Sequence, residues 1–372
     1  MIKLLTVIGA RPQIIKAAAI SRAVRNDFSD RIQEKILHTG QHYDANMSQV
    51  FFDELGIPAP DYNLGVGSGS HGTQTAKMIE GIERVLCSEH FDGIILYGDT
   101  NSTLSGAVAA AKLHVPVFHV EAGLRSYNMT MPEEQNRIVC DHLSSILFAP
   151  TQTAVDNLAD EGLVASKAVF QNGKGRQVVK SGDVMYDNAL YFSSLAEQKS
   201  HILKDCQVNP GAYILATIHR DFNTDNPERI GSIFKALSTI ADENNIPVVL
   251  PLHPRTRHYL PSGISSKITI IPPASFFDIL TLEKNAKIVM TDSGGVQKEA
   301  FFFGRPCVIL RPETEWVEII DHNAGILTDA DYDRILNAYR ILSCRKVNFP
   351  PLFGDGNAAT CVLQSIIEYT NC

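Results

Sequence analysis

The chain has 372 residues, of which 44% are hydrophobic and 20% charged, a composition that fits a folded globular protein and not a disordered, collagen-like or membrane-spanning one. At ~150 residues per domain, the length points to two domains, each able to bury its own core. Lys+Arg 33 against Asp+Glu 41 leaves a net charge of −8 with no long basic run, which argues against extended nucleic-acid or anionic-membrane contact but leaves room for a local phosphate site.

The N-terminal MIKLLTVIGARP carries an apolar run of only about six residues, too short for a signal peptide, and reads as a first buried strand. From there short β-branched runs alternate with longer amphipathic stretches, the pattern of βαβ units around parallel sheets. In the first half, strands are expected at 4–8, 36–38, 93–97, 115–120 and 146–148. A helix is expected over 13–24, where Ile15, Ala19 and Ala23, and beside them Ile20 and Val24, recur at i, i+4. The glycine-rich 65–69 (GVGSG) imitates a dinucleotide loop, yet it follows PAPDYN and no strand, so it reads as a plain loop and no nicotinamide cofactor is expected. The polar 171–177 (QNGKGRQ) reads as a solvated hairpin tip, and 181–192 as the crossover between halves. A second strand series follows at 213–218, 248–252, 268–271, 288–291 and 308–310. The fold class is therefore α/β, with two Rossmann-like halves. The seven cysteines are odd in number, scattered and without a CxxC pair, so neither a disulfide framework nor a zinc knuckle is expected, and the expected setting is the cytoplasm.

Unusual polar residues cluster where these strands end. Strand one runs into Gly9-Ala10-Arg11-Pro12, the second into His38-Thr39-Gly40-Gln41-His42, a later one into Gly98-Asp99-Thr100, and the next into Glu121-Ala122-Gly123. Ligands of open parallel sheets bind beyond the carboxyl ends of the strands, so these four ends read as one site. Asp99, Glu121 and the pair Glu133–Glu134 are acid–base candidates. Carboxylates converging near a phosphate must be protonated or otherwise engaged, which is how enzymes separate acid and base roles. Arg11, beside Pro12 at the first helical position, is a candidate phosphate ligand. The second half repeats the arrangement with His219-Arg220, His253-Pro254 and Asp292-Ser293-Gly294-Gly295. The last precedes a helix over 296–303, so small residues would let a diphosphate reach free backbone N–H groups, with Glu299 one turn in to accept ribose hydroxyls. A nucleophilic serine or a simple helix cap at Ser293 are the competing readings. His219 and His253 read as polar contacts, since no third ligand recurs at metal spacing; no metal is expected.

Taken together, GARPQIIK, GDTNST, HVEAGLRS, MPEEQNR, HR, LHPR, TDSGGVQKEA and LRPETEW resemble, in order and spacing over essentially the whole chain, the non-hydrolysing UDP-N-acetylglucosamine 2-epimerases. That resemblance implies a two-domain glycosyltransferase-B fold with the nucleotide in the cleft. It also implies a C-terminal helix returning to the first domain, so the domains would comprise 1–185 with 357–372, and 186–356. It implies a cofactor-free inversion at C2 of a UDP-2-acetamido sugar by elimination and readdition of UDP. By motif, Asp99, Glu121, Glu133 and His219 would be catalytic. Arg11, Lys16, Arg137, His253, Ser293, Gly294, Gly295, Glu299 and Arg311 would bind the UDP-sugar, and Gln41 and His42 would lie where the family senses an adjacent ligand. A homodimer is the expected assembly.

Many members of the family read TRPE, AQHR and TERPE where this chain has ARPQ, HTGQHYDANMS and TEWVE. Its Gln13, Asp44–Met47 and Trp316 versions are similar to the branch acting on UDP-2,3-diacetamido-2,3-dideoxy-D-glucuronate, which supplies O antigens and capsules. That sugar is the expected substrate, with UDP-N-acetylglucosamine, giving UDP-N-acetylmannosamine, as the alternative. A glycosyltransferase on the same fold, a hydrolysing epimerase and a non-catalytic nucleotide-sugar sensor remain open on the sequence.

Overall fold

The structure, a computed structural model, describes residues 1–41, 55–164, 169–170, 173–252 and 260–371. The chain divides into two compact units, Met1–Asn188 with Pro351–Cys372, and Ala189–Pro350.

The first unit holds a seven-stranded sheet: β1 (Ile2–Ile8), β2 (Ile32–His38), β3 (Tyr62–Asn63), β4 (Gly93–Tyr97), β5 (Val117–Val120), β6 (Ile146–Ala149) and β7 (Gln177–Lys180). Their order is β3-β2-β1-β4-β5-β6-β7, with every pair parallel. β1 registers Ile2 to Ile8 against Ile32 to His38 on one side and Leu4 to Thr6 against Gly93 to Ile95 on the other. Leu4, Leu5, Val7, Ile8, Ile94, Ile95 and Leu96 are fully buried, as strands covered on both faces must be. The covering helices start where the sequence supplies starts: Pro12 in the first turn of Arg11–Asp27, and Ser70 and Thr100 capping His71–Ser88 and Asn101–Lys112. The helix Ala358–Asn371 belongs to this unit; the Asp187 carboxylate accepts its first N–H groups, from Ala358 (3.1 Å) and Ala359 (2.8 Å), and the Tyr369 ring packs edge-on to Phe118.

The second unit has six parallel strands, β8 (Ile214–Thr217), β9 (Val248–Pro251), β10 (Ile268–Ile271), β11 (Ile288–Thr291), β12 (Cys307–Ile309) and β13 (Gly325–Leu327), ordered β10-β9-β8-β11-β12-β13. In each sheet the order reverses beside the first strand, between β1 and β4 and between β8 and β11. Those are the points where parallel sheets open a crevice for ligands.

Three strands escape the sequence reading. β3, β7 and β13 are short edge strands, and β7 (QVVK) is only half-buried, so no long apolar run marks them. The 171–177 expectation needs correcting at its end. Val169 and Gly175 do form an antiparallel bridge and Phe170 N–H donates to Lys174 O, but Gln177 already begins β7; Gln171 and Asn172 lie outside the described residues. The GVGSG loop likewise does follow a strand, β3, and runs beside the end of β2 through Val66 N–H to Thr39 O and Gly67 N–H to Gly40 O. Among the described residues no helix is long and apolar enough to cross a membrane.

Candidate active site

In the first unit the ends of β1, β2, β4 and β5 carry the predicted polar residues. Arg11 opens the first helix and is exposed, while Lys16, one turn further, forms an ion pair with Glu121. Glu121 is itself held at φ 72°, a left-handed conformation that costs a non-glycine residue energy and concentrates at functional sites. Both partners are nearly buried, with side chains 13% and 7% exposed. Gly98 also adopts a left-handed φ of 61°, which favours glycine, and a Cβ there would sit 2.9 Å from the Lys16 Nζ and 3.4 Å from a Glu121 oxygen. Asp99, next in the chain, pairs with Arg137, and Arg137 donates to Glu134 at 2.6 Å.

The helix Pro132–Leu143 separates the two glutamates at its start. Glu134 is fully buried and accepts from Ser126 N and Oγ, Tyr127 N and Arg137, so it clamps the loop before the helix. Glu133 stays partly exposed at the second helical position. Gln41 is buried, its amide oxygen accepting from Ser102 N (3.1 Å) and Oγ (2.8 Å).

In the second unit β8 and β11 end side by side. Asp292, fully buried, accepts from the backbone of His219 (3.1 Å) and Arg220 (3.1 Å), from Asn223 Nδ2 (3.0 Å), and faces His219 Nδ1 at 3.1 Å. Burial works against its ionisation, but His219, Asn223 and Arg220 together hold its carboxyl below the usual range. The His219 ring is thus aimed from behind by a carboxylate while more than half of it stays exposed. The helix Gly294–Phe302 starts immediately after, two residues earlier than the sequence suggested. Ser293 Oγ accepts a long 3.5 Å bond from Val296 N–H, so the competing reading of a helix cap holds in weak form. The two glycines differ. A Cβ on Gly294 would collide with Glu315, which Arg311 holds at 3.0 Å, whereas a Cβ on Gly295 would meet nothing nearer than Ser293 Oγ at 3.9 Å. Glu299 is partly exposed on this helix, and its charge, after burial itself, helps to raise the carboxyl of the buried Glu283.

The family model for UDP-N-acetylglucosamine 2-epimerase matches residues 25–367. The chain belongs to this family. It is 46% identical over 368 residues, 98% of this chain and 99% of the relative, to the UDP-2,3-diacetamido-2,3-dideoxy-D-glucuronate 2-epimerase of Pseudomonas aeruginosa. Among solved structures, the Methanocaldococcus jannaschii UDP-GlcNAc 2-epimerase in complex with UDP-GlcNAc and UDP superposes with a TM-score of 0.86 at 39% identity, covering 99% of this chain and 100% of that one. The Neisseria meningitidis UDP-GlcNAc 2-epimerase bound to UDP-GlcNAc matches with a TM-score of 0.85 at 27% identity, covering 99% and 100%. The fold is glycosyltransferase-B-like, and the family's enzymes are isomerases.

Of the residues read from the sequence, the first unit gathers Lys16, Asp99, Glu121 and Arg137 into two ion pairs, and the second gathers His219, Ser293, Gly294, Gly295 and Arg311 around the ends of β8, β11 and β12. His42 and His253 lie outside the described residues. Two residues that marked the branch turn out to be packing elements. Gln13, 1% exposed, accepts from Gly9 and Ala10 N–H and donates to Tyr97 O and Thr103 Oγ1, using both ends of its amide on the scaffold. Trp316 is 2% exposed with the Lys298 ammonium 4.1 Å from its ring centre. Asp292 and Glu134 were legible as charged letters beside predicted strand and helix ends, but nothing in one sequence distinguishes a carboxylate that clamps backbone N–H groups from one that meets a ligand.

Proposed function

We propose that the protein inverts C2 of UDP-2,3-diacetamido-2,3-dideoxy-D-glucuronate, giving the manno epimer. The observation that carries this choice of sugar is the 46% identity, end to end, to the Pseudomonas aeruginosa enzyme named for that sugar. UDP-N-acetylglucosamine is the second reading, favoured by the 39% identical M. jannaschii structure holding UDP-GlcNAc and UDP.

The chemistry follows from the groups available. A base removes the C2 proton, the C2–H electron pair becomes the C1=C2 double bond, and the C1–O bond breaks with its electrons leaving on UDP. Return of UDP to C1 and delivery of a proton to the opposite face of C2 complete the inversion. Because no carbonyl acidifies C2, the step needs well-placed acid–base groups and strong stabilisation of the departing diphosphate. In this reading Asp99, Glu121 and Glu133 of the first unit, with His219 of the second, handle protons. The N–H groups at Ser293-Gly294-Gly295 receive the diphosphate, Glu299 accepts the ribose hydroxyls, and Arg11, Lys16, Arg137, His253 and Arg311 supply positive charge. The pairing of Lys16 with Glu121 and of Arg137 with Asp99 supports it, since cations beside the carboxylates offset their repulsion of an anionic substrate.

The test is a panel of UDP-2-acetamido sugars followed by NMR. The diacetamido uronate is expected to have the highest kcat/KM, since a site built to pair polar substituents rejects analogues lacking them. Equal or higher kcat/KM with UDP-N-acetylglucosamine would replace the first reading by the second.

A further inference from the structure

His119 lies inside the first sheet, on β5 between β4 and β6, with no exposed surface. Its Nδ1 is 2.7 Å from Asp141 Oδ1 and its Nε2 is 2.8 Å from the backbone oxygen of Gly98. A carbonyl oxygen can only accept, so Nε2 carries a proton. Asp141 is equally committed to accepting. Its other oxygen takes Arg125 NH1 at 2.8 Å and Gly123 N–H at 3.1 Å, and Arg125 is braced by two bonds to Glu161 at 2.6 and 2.7 Å. With acceptors on both sides, both ring nitrogens must donate, and a histidine that donates twice is an imidazolium.

The two ends of this assembly are what give it a consequence. The Gly98 oxygen belongs to the peptide that leads into Asp99, and Gly123 N–H belongs to the turn that follows Glu121. We propose that His119 is a positioning residue for the reaction: a buried imidazolium that, through Gly98 and through Asp141, fixes the two turns presenting Asp99 and Glu121. The turns need such fixing, because Gly98 and Glu121 both stand at left-handed φ just past the last residues of β4 and β5. The titratable groups facing the ring are Asp141 and Cys140 of the helix Pro132–Leu143, with Arg125 behind Asp141. Burial opposes the charge, but Cys140 and Asp141 together raise the imidazole well above the ordinary histidine value. This inference rests on the acid–base roles given to Asp99 and Glu121 above.

Two measurements test it. Nitrogen-15 NMR of the histidine ring in the whole protein is expected to show both nitrogens of His119 protonated from pH 6 to pH 8; a neutral tautomer at pH 7 would overturn the proposal whatever the variants do. His119→Phe keeps the ring's bulk and removes both donors. It is expected to slow C2 deuterium exchange of the UDP-sugar about 10²-fold, the cost of a small misplacement of reacting groups, with UDP affinity unchanged by calorimetry. His119→Gln, which keeps a donor, should recover part of the rate. Wild-type exchange in His119→Phe, or a loss of UDP affinity matching the loss of rate, would overturn the positioning role. Absence of exchange in the unaltered protein would instead overturn the epimerase reading, leaving the ring nitrogens to decide the protonation of His119.

Discussion

The two units end their central strands on opposite solutions to the same problem. In the first, charged groups crowd together and neutralise one another: Glu121 with Lys16, Asp99 with Arg137, and His119 with Asp141 beneath them. In the second, the β11 end presents small residues and backbone N–H groups, and its buried carboxylate, Asp292, is spent on holding the chain and the His219 ring. Carboxylates with cationic neighbours suit proton transfer, whereas a helix start with small residues and backbone N–H groups suits a diphosphate. In the proposed function, one fold repeated twice divides the labour by what it places after the strands.

The largest effects should come from breaking the first unit's pairs. Asp99→Asn or Glu121→Gln is expected to lower kcat by about 10² or more, with a much smaller change in UDP affinity. At least one of them should release UDP and the 2-acetamidoglucal intermediate, since stalled readdition gives that species time to escape. Steady-state kinetics with product NMR checks this, and full activity in both would remove the distinction between the units.

In the second unit the glycines sharpen the comparison. Because the space beside Gly295 is open, Gly295→Val should leave the melting temperature unchanged yet weaken UDP binding at least tenfold, ~1.4 kcal/mol. Gly294→Val should lower both, since its side chain would meet Glu315 before any ligand arrived. Calorimetry and thermal melts of the two variants separate ligand approach from packing.

A smaller effect concerns pH. Glu283 is fully buried; burial first, and the neighbouring Glu299 second, raise its carboxyl well above the usual range. A raised acid binds its proton more tightly in the folded state, so the stability it contributes is fully present below the unfolded value of about 4.3 and is lost as pH rises through the folded value. Glu283→Gln, neutral at every pH, should flatten that decline in thermal melts taken on the alkaline side; an unchanged slope would show that Glu283 does not carry the proton. The smallest change expected is Thr100→Ala, which removes the cap of the helix after Asp99 and should cost about 1 kcal/mol in denaturant unfolding.

Much of this architecture was readable in the sequence because buried parallel strands are nearly continuous apolar runs: IKLLTVI, GIILY and IVMT announce themselves. Edge strands do not, and YN, QVVK and GIL are too short or too polar to stand out. The site was legible as positions and less so as roles. Glycine beside a charged letter at a strand end located Asp99, Glu121 and Ser293, but whether a carboxylate serves a ligand or the scaffold depends on which N–H groups fold towards it. Glu134 and Asp292 each gather several backbone donors from segments brought up by the turn, and Gln13 closes four bonds to parts of the chain as distant as Tyr97 and Thr103. Those partners exist only once the sheet has formed.

In the proposed function, protein groups take the proton from C2 and return one to its other face. Running the reaction in D2O and reading C2 of the product by NMR tests it most directly. The account predicts full deuterium incorporation at C2 with no added nicotinamide or metal; epimerised product retaining its original hydrogen at C2 would contradict it.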